Sequence, residues 1–94
     1  MFNKVILVGR LGQDPELKTT PTMKLCELRM VTEKGRGDTK IAEWHTIKVF
    51  GDQAETCYKF LKSGRMVVIE GEIQSRTVND KTYKDIVAHH VQFL

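Results

Sequence analysis

A small β-barrel plugged by one helix is what this sequence predicts. Three observations carry that expectation. Apolar and polar residues alternate with period two over most of the chain. One stretch alone, from Asp52 to Leu61, switches to helical spacing. And 94 residues form one domain, residues 1–94, too small to cover an open sheet on both faces with a single helix.

The first strand is expected over Asn3 to Leu11, NKVILVGRL. Its centre is apolar on both parities, Val5 and Leu7 against Ile6 and Val8. A strand greasy on both sides needs two covers, and in a chain this short one of them is a second subunit. GQDPELKTTPT then reads as a turn cluster punctuated by Pro15 and Pro21. In the second strand Cys26, Leu28 and Met30 share one side, and Glu27, Arg29 and Val31 the other. KGRGDTK, Lys34 to Lys40, is a polar loop expected to be solvent-exposed.

The third strand, EWHTIKVF, is the unusual one. His45, Ile47 and Val49 form one face, while Trp44, Thr46, Lys48 and Phe50 form the face that should be wet. The helix follows, with Asp52 as its N-cap, Glu55 completing a capping box and Ala54, Cys57, Tyr58 and Leu61 as its apolar stripe. Gly64 stops it. RMVVIEGEIQSRTV is a long fourth strand in which Gly71 suggests a bulge. VNDKTY turns the chain, and TYKDIVAHHVQFL is the fifth strand. Three strands, a helix and two strands at this length match the OB-fold: all-β with one helix, a five-stranded partly open Greek-key barrel with the helix between strands 3 and 4.

Composition narrows the function classes. The chain is 40% hydrophobic and 29% charged, with no apolar run near the length of a membrane span and no signal-peptide core. Cys26 and Cys57 lack any metal-ligand spacing and read as reduced core thiols, which points to the cytoplasm. A net charge of +3 and a pI near 9.0 suit a polyanionic partner.

Rings spaced along one strand face with a cation between them suit single-stranded nucleic acid, whose bases stack and whose phosphates seek cations. Trp44, Phe50 and Lys48 are therefore candidate binding residues, and the competing reading makes the two rings core or interface residues. Arg76 joins them because its strand should border the groove. Arg10 and Lys62 are further candidate cations, and Arg36, with Lys34 and Lys40, sits on a loop placed to clamp a strand. Glu70 and Glu72 point the same way and invite comparison with a metal nuclease, but no third acid stands at a useful spacing. Adjacent His89 and His90 do not share a metal. No catalytic constellation, cofactor motif or metal site is legible. Arg36-Gly37-Asp38 is an adhesion-type tripeptide of the kind that arises by chance.

Three segments in order, NKVILVGRLGQDPE, EWHTIKVFG and VVIEGEI, closely resemble the bacterial single-stranded DNA-binding protein family, over Asn3 to about Val91. The resemblance implies an OB-fold homotetramer, a dimer of dimers, that coats single-stranded DNA without sequence specificity or catalysis. Its setting is replication, recombination and repair, in the cytoplasm and on the nucleoid. It further implies that Trp44 and Phe50 stack on bases, that His45 lies at a subunit contact and that Lys4 to Val8 (Lys4, Val5, Ile6, Leu7, Val8) build the dimer. Arg76 matches a DNA-facing basic position, and Lys62 the basic segment ending the helix.

Two tryptophans common in the family are replaced, one in the region of Gly35 and Arg36 and one by Val78, which implies weaker affinity per subunit or a shifted DNA path. Family members continue into a linker and an acidic tip that recruits replication and repair proteins. This sequence stops at HHVQFL, which implies DNA binding without tail-mediated recruitment. The readings set against this one are an RNA-binding or primosome-type OB-fold protein, an assembly subunit that binds no nucleic acid, and the metal nuclease.

Overall fold

The computed structural model describes residues 1–94 as six strands and one α-helix. In chain order these are β1 (Val5–Leu11), β2 (Glu16–Thr19), β3 (Lys24–Lys34), β4 (Ile41–Phe50), α1 (Asp52–Phe60), β5 (Met66–Val78) and β6 (Lys81–Phe93). The strand order β1-β5-β6-β4-β3-β2 closes on itself through an additional β1–β3 pairing. The barrel is thus a five-strand ring of β1, β3, β4, β6 and β5, with β2 as a flap on the edge of β3.

The ring is held unevenly. β3 and β4 pair over ten rungs, Leu25 to Lys34 against Phe50 to Ile41. Two seams are only two residue pairs wide: Arg10–Val31 and Leu11–Met30 between β1 and β3, and Ile47–Ile86 and Lys48–Val87 between β4 and β6. The β4–β6 seam is parallel, the others antiparallel. The expected five strands therefore become six, and the helix lies between the fourth and fifth strands. The extra strand is β2, whose four residues sit within the stretch read as a turn cluster. It exists because Glu16 to Thr19 find a partner edge in Lys24 to Glu27.

Alternation sets the core. Cys26, Leu28 and Met30 of β3, Ile47 and Val49 of β4 and Val67 and Ile69 of β5 point inward and are fully buried. From α1, Ala54 and Cys57 plug the barrel end, followed by Leu61. The helix differs from expectation in two details. Asp52 is its first residue rather than its cap; Gly51, at φ +77°, makes the turn into it without a side-chain cap. Tyr58 lies half exposed on the flank of the stripe. Glu55 closes no capping box. It accepts a hydrogen bond from Lys24 Nζ at 2.5 Å, and that bond holds its carboxyl below the usual range.

The bulge near Gly71 is present. Between Glu70 and Gly71 the β5–β6 register slips by one, and His89 is the extra residue on β6. A Cβ on Gly71 would lie 2.0 Å from the Val87 carbonyl oxygen, so only glycine lets the strands approach this closely. Beyond the bulge β5 and β6 continue as a hairpin, turned by Asn79 and Asp80 in the left-handed region. The hairpin leans on the start of the chain: Asn3 Nδ2 donates to the Ile73 carbonyl at 2.9 Å, and the Ile73 N–H donates to Asn3 Oδ1 at 3.0 Å.

Candidate nucleic-acid interface

The outward parity of β4 is the one the sequence singles out. Trp44 and Phe50 are 52% and 39% exposed, while Ile47 and Val49 on the other parity are buried. The two rings stand six residues apart on one strand, about 20 Å. Thr46 and Lys48 lie between them.

Cross-strand register decides what surrounds them. Val31 pairs with Trp44 and Arg10 with Val31, so Arg10 lies two strands from the indole on the outer surface. Arg10 also donates to the Gly64 carbonyl at 3.2 Å. The Trp44 ring lies against the backbone of Gly12, where a Cβ would sit 2.2 Å from a ring carbon. The Arg29 guanidinium stands 5.5 Å from its centroid. Trp44 is thus braced by Gly12 and Arg29 with half its surface open. At the other end Phe50 borders an open cleft of about 690 Å³ under the β2–β3 turn, shared with Met23, Lys24 and the threonines of that turn.

Lys48, Arg76 and Asp85 meet at one atom. Arg76 Nε donates to Asp85 Oδ2 at 2.7 Å, and Lys48 Nζ lies 3.3 Å from the same oxygen. Asp85 is 5% exposed. The Arg76 guanidinium also lies 4.8 Å from the ring centroid of Tyr83, its rung partner. Tyr83 is 43% exposed and shares this surface. A second cleft, of about 250 Å³, opens where β4 and β6 diverge, lined by Trp44, Thr46, Lys84, Asp85 and Ile73 among others.

The remaining candidates fall elsewhere. Arg36 is exposed at the tip of the β3–β4 hairpin, against a single 3-10 turn over Gly37–Thr39. Lys62 stands just past α1 beside Asp14, Pro15 and Tyr58, off the strand face. On β1, Val5 and Leu7 turn inward, whereas Ile6 and Val8 are 62% and 51% exposed. Met66 and Val68 of β5 continue that outward apolar strip. Lys4 faces Glu70 at 3.7 Å. His45 is half-buried, its Nε2 2.8 Å from Thr32 Oγ1. Glu72 lies 2.9 Å from His89 Nε2, and no cluster of three His, Cys, Asp or Glu side chains gathers as a metal site.

Two residues escaped the sequence reading: Asp85 and Tyr83. Parity along β6 was the available signal, since Tyr83, Asp85 and Val87 alternate with Ile86 and Ala88. A buried acid meeting cations from two other strands leaves no trace in sequence.

The family model described as "Single-strand binding protein family" matches residues 2–94. Over 104 residues the chain is 38% identical to proteins named "Single-stranded DNA-binding protein" from Neisseria meningitidis serogroups A and B, covering 99% of this chain and 60% of each relative. It is 37% identical over 90 residues to "Single-stranded DNA-binding protein 1" of Chlorobaculum tepidum, covering 89% of this chain and 56% of that one. The chain spans about 60% of the length of the curated relatives it matches. Among solved structures, the wild-type single-stranded DNA binding protein from Thermus aquaticus superposes with a TM-score of 0.87 at 22% identity, over 99% of this chain and 50% of that one. A deletion mutant of the same protein gives the same values. At that identity the likeness speaks for the fold.

Proposed function

The chain belongs to the single-strand binding protein family, and on that footing we propose that it binds and coats single-stranded DNA through the outer face of β3, β4 and β6, in replication, recombination and repair. The observation that carries the reading is the exposed parity of β4. Trp44 and Phe50 offer half-open rings at the two ends of a row, and Lys48 stands between them with Arg76 adjacent. Bases stack on the rings, at about 1–3 kcal/mol each. The cations meet phosphate and release counterions. Stacking tolerates any base, so the face discriminates strandedness rather than sequence. Its role is binding, not catalysis.

Tyr83 joins the surface as a third ring, two residues along the hairpin face from the register of Val78. Arg10 and Arg29 extend the positive rim beside Trp44. Arg36 and Lys62 stand at the periphery, where they meet DNA leaving the face. The exposed Ile6 and Val8, continued by Met66 and Val68, support assembly through β1 into a dimer and, by pairing of dimers, a homotetramer. Lys4 and His45 complete the subunit contacts in this reading. The protein acts in the cytoplasm on nucleoid DNA; no helix is long and apolar enough to cross a membrane. Recruitment of replication and repair proteins belongs to chains that carry an acidic tail.

Trp44 is the only tryptophan, so its fluorescence reports on this face alone. Titration with a dT oligomer should quench it, a matched duplex should do little, and rising salt should weaken the effect by a log–log slope of about −0.7 per phosphate neutralised. An RNA oligomer in competition measures the preference for deoxyribose. Indifference of Trp44 to every oligomer would defeat the reading.

A further inference from the structure

Resting on that reading, we propose that Asp85 is a positioning residue for strand binding: its buried carboxylate holds Lys48 and Arg76 as a pre-set pair for the phosphates. Three strands supply this cluster. β4 brings Lys48, β5 brings Arg76 and β6 brings the acid, and both cations converge on Oδ2 of Asp85 at 3.3 and 2.7 Å.

What each cation keeps is the point. Arg76 spends Nε on Asp85, which leaves the donors of its two terminal nitrogens; its guanidinium is also packed 4.8 Å from the Tyr83 ring. Lys48 faces the same oxygen at 3.3 Å as an ion pair and keeps its ammonium donors for a phosphate. Both are long side chains that otherwise lose considerable rotamer freedom when they grip a ligand. Here that ordering is complete before DNA arrives. One carboxylate against two cations leaves a net charge of +1 on the cluster, which a phosphate completes.

A rival account gives Asp85 only an electrostatic role, damping the attraction for DNA. The two accounts differ in sign. Removing the acid raises the positive charge of the face, so under damping alone Asp85→Ala binds more tightly. Under positioning it binds more weakly, because two side chains must then be ordered at the moment of binding.

The test titrates the full 94-residue chain with a dT oligomer by Trp44 fluorescence, for the parent, Asp85→Ala, Asp85→Asn and Asp85→Glu. Asp85→Ala is expected to bind about threefold to tenfold more weakly than the parent despite its added positive charge. Asp85→Asn, equal in shape and neutral, is expected to fall between them and stands in if the alanine variant does not fold. Asp85→Glu should recover most of the loss. The same Asp85 substitutions in a Lys48→Ala/Arg76→Ala background should bring no further loss of affinity, the signature of a residue acting through those two. Tighter binding by Asp85→Ala, or an equal loss in both backgrounds, overturns the inference and leaves the binding reading standing. A parent protein that ignores the oligomer overturns both.

Discussion

Replacing Gly12 with alanine should move Trp44. The new Cβ would fall 2.2 Å and 2.3 Å from Cζ3 and Cη2 of the indole. Carbon atoms rest about 3.5 Å apart, so the ring must retreat by about 1.3 Å. A displacement of that size takes the side chain off its rotamer, at about 0.5–1.5 kcal/mol. It also disturbs the Arg29 guanidinium, now 5.5 Å from the ring centroid. The fold should survive, because the obstruction is a half-exposed side chain at the surface rather than backbone. Binding should not be spared. Stacking on an intact platform is worth about 1–3 kcal/mol per base, and a misplaced ring forfeits about 1 kcal/mol of it, a fall in affinity of roughly fivefold. Emission of the single tryptophan, thermal unfolding and dT titration on the same sample separate the effects. A shifted spectrum, a nearly unchanged melting temperature and weaker binding are the expected set. An unchanged spectrum with unchanged affinity would show that Gly12 does not brace the indole and that the ring's placement is indifferent to binding.

Cys26 and Cys57 are buried and free, and burial pushes their thiols up from the usual 9.0 to about 12 and about 11. Cys57 adds to the rise at Cys26. Since the folded values lie above the unfolded ones, the stability they contribute is intact below pH 9 and drains away as pH climbs toward 11 and 12. Urea midpoints should fall over that window, and a Cys57→Ala variant should fall less steeply; parallel curves would remove the thiols as the cause. Val78→Trp adds a ring near Tyr83 and Arg76 and should tighten dT binding by up to about tenfold; no gain in titration would mean that the strand does not pass there. Ile6→Glu with Val8→Lys puts charges on the outward apolar strip and should shift the sedimentation profile to smaller species. An unchanged profile would move the subunit contact away from β1.

How much of this was legible in the sequence depends on the range of the interaction. Period-two alternation is local, and it placed Trp44, Lys48 and Phe50 outside and Ile47 and Val49 inside. A lone glycine in a long strand marked the slip at Gly71, although the extra residue lies across the ladder at His89. β2 was hidden because four residues between two prolines carry little pattern of their own; its hydrogen bonds come from β3. Asp52 looked like a cap by composition, but a glycine at positive φ makes a sharper turn and displaced it. Asp85 was the largest omission. An acid on a strand ordinarily signals a wet face, and only the arrival of Arg76 and Lys48 from other strands makes its burial tolerable.

The narrow parallel seam between β4 and β6 has a kinetic consequence. Two rungs hold these strands together, and Lys48 of one rung is tied to Asp85 beside the other. The amide protons along this seam are therefore expected to exchange with deuterium far ahead of the ten-rung β3–β4 ladder. A strand lying across Trp44, Lys48 and Tyr83 bridges that joint from outside. Slower exchange there on binding would register DNA as a clasp on a narrow joint of the barrel, not only as cargo on its surface.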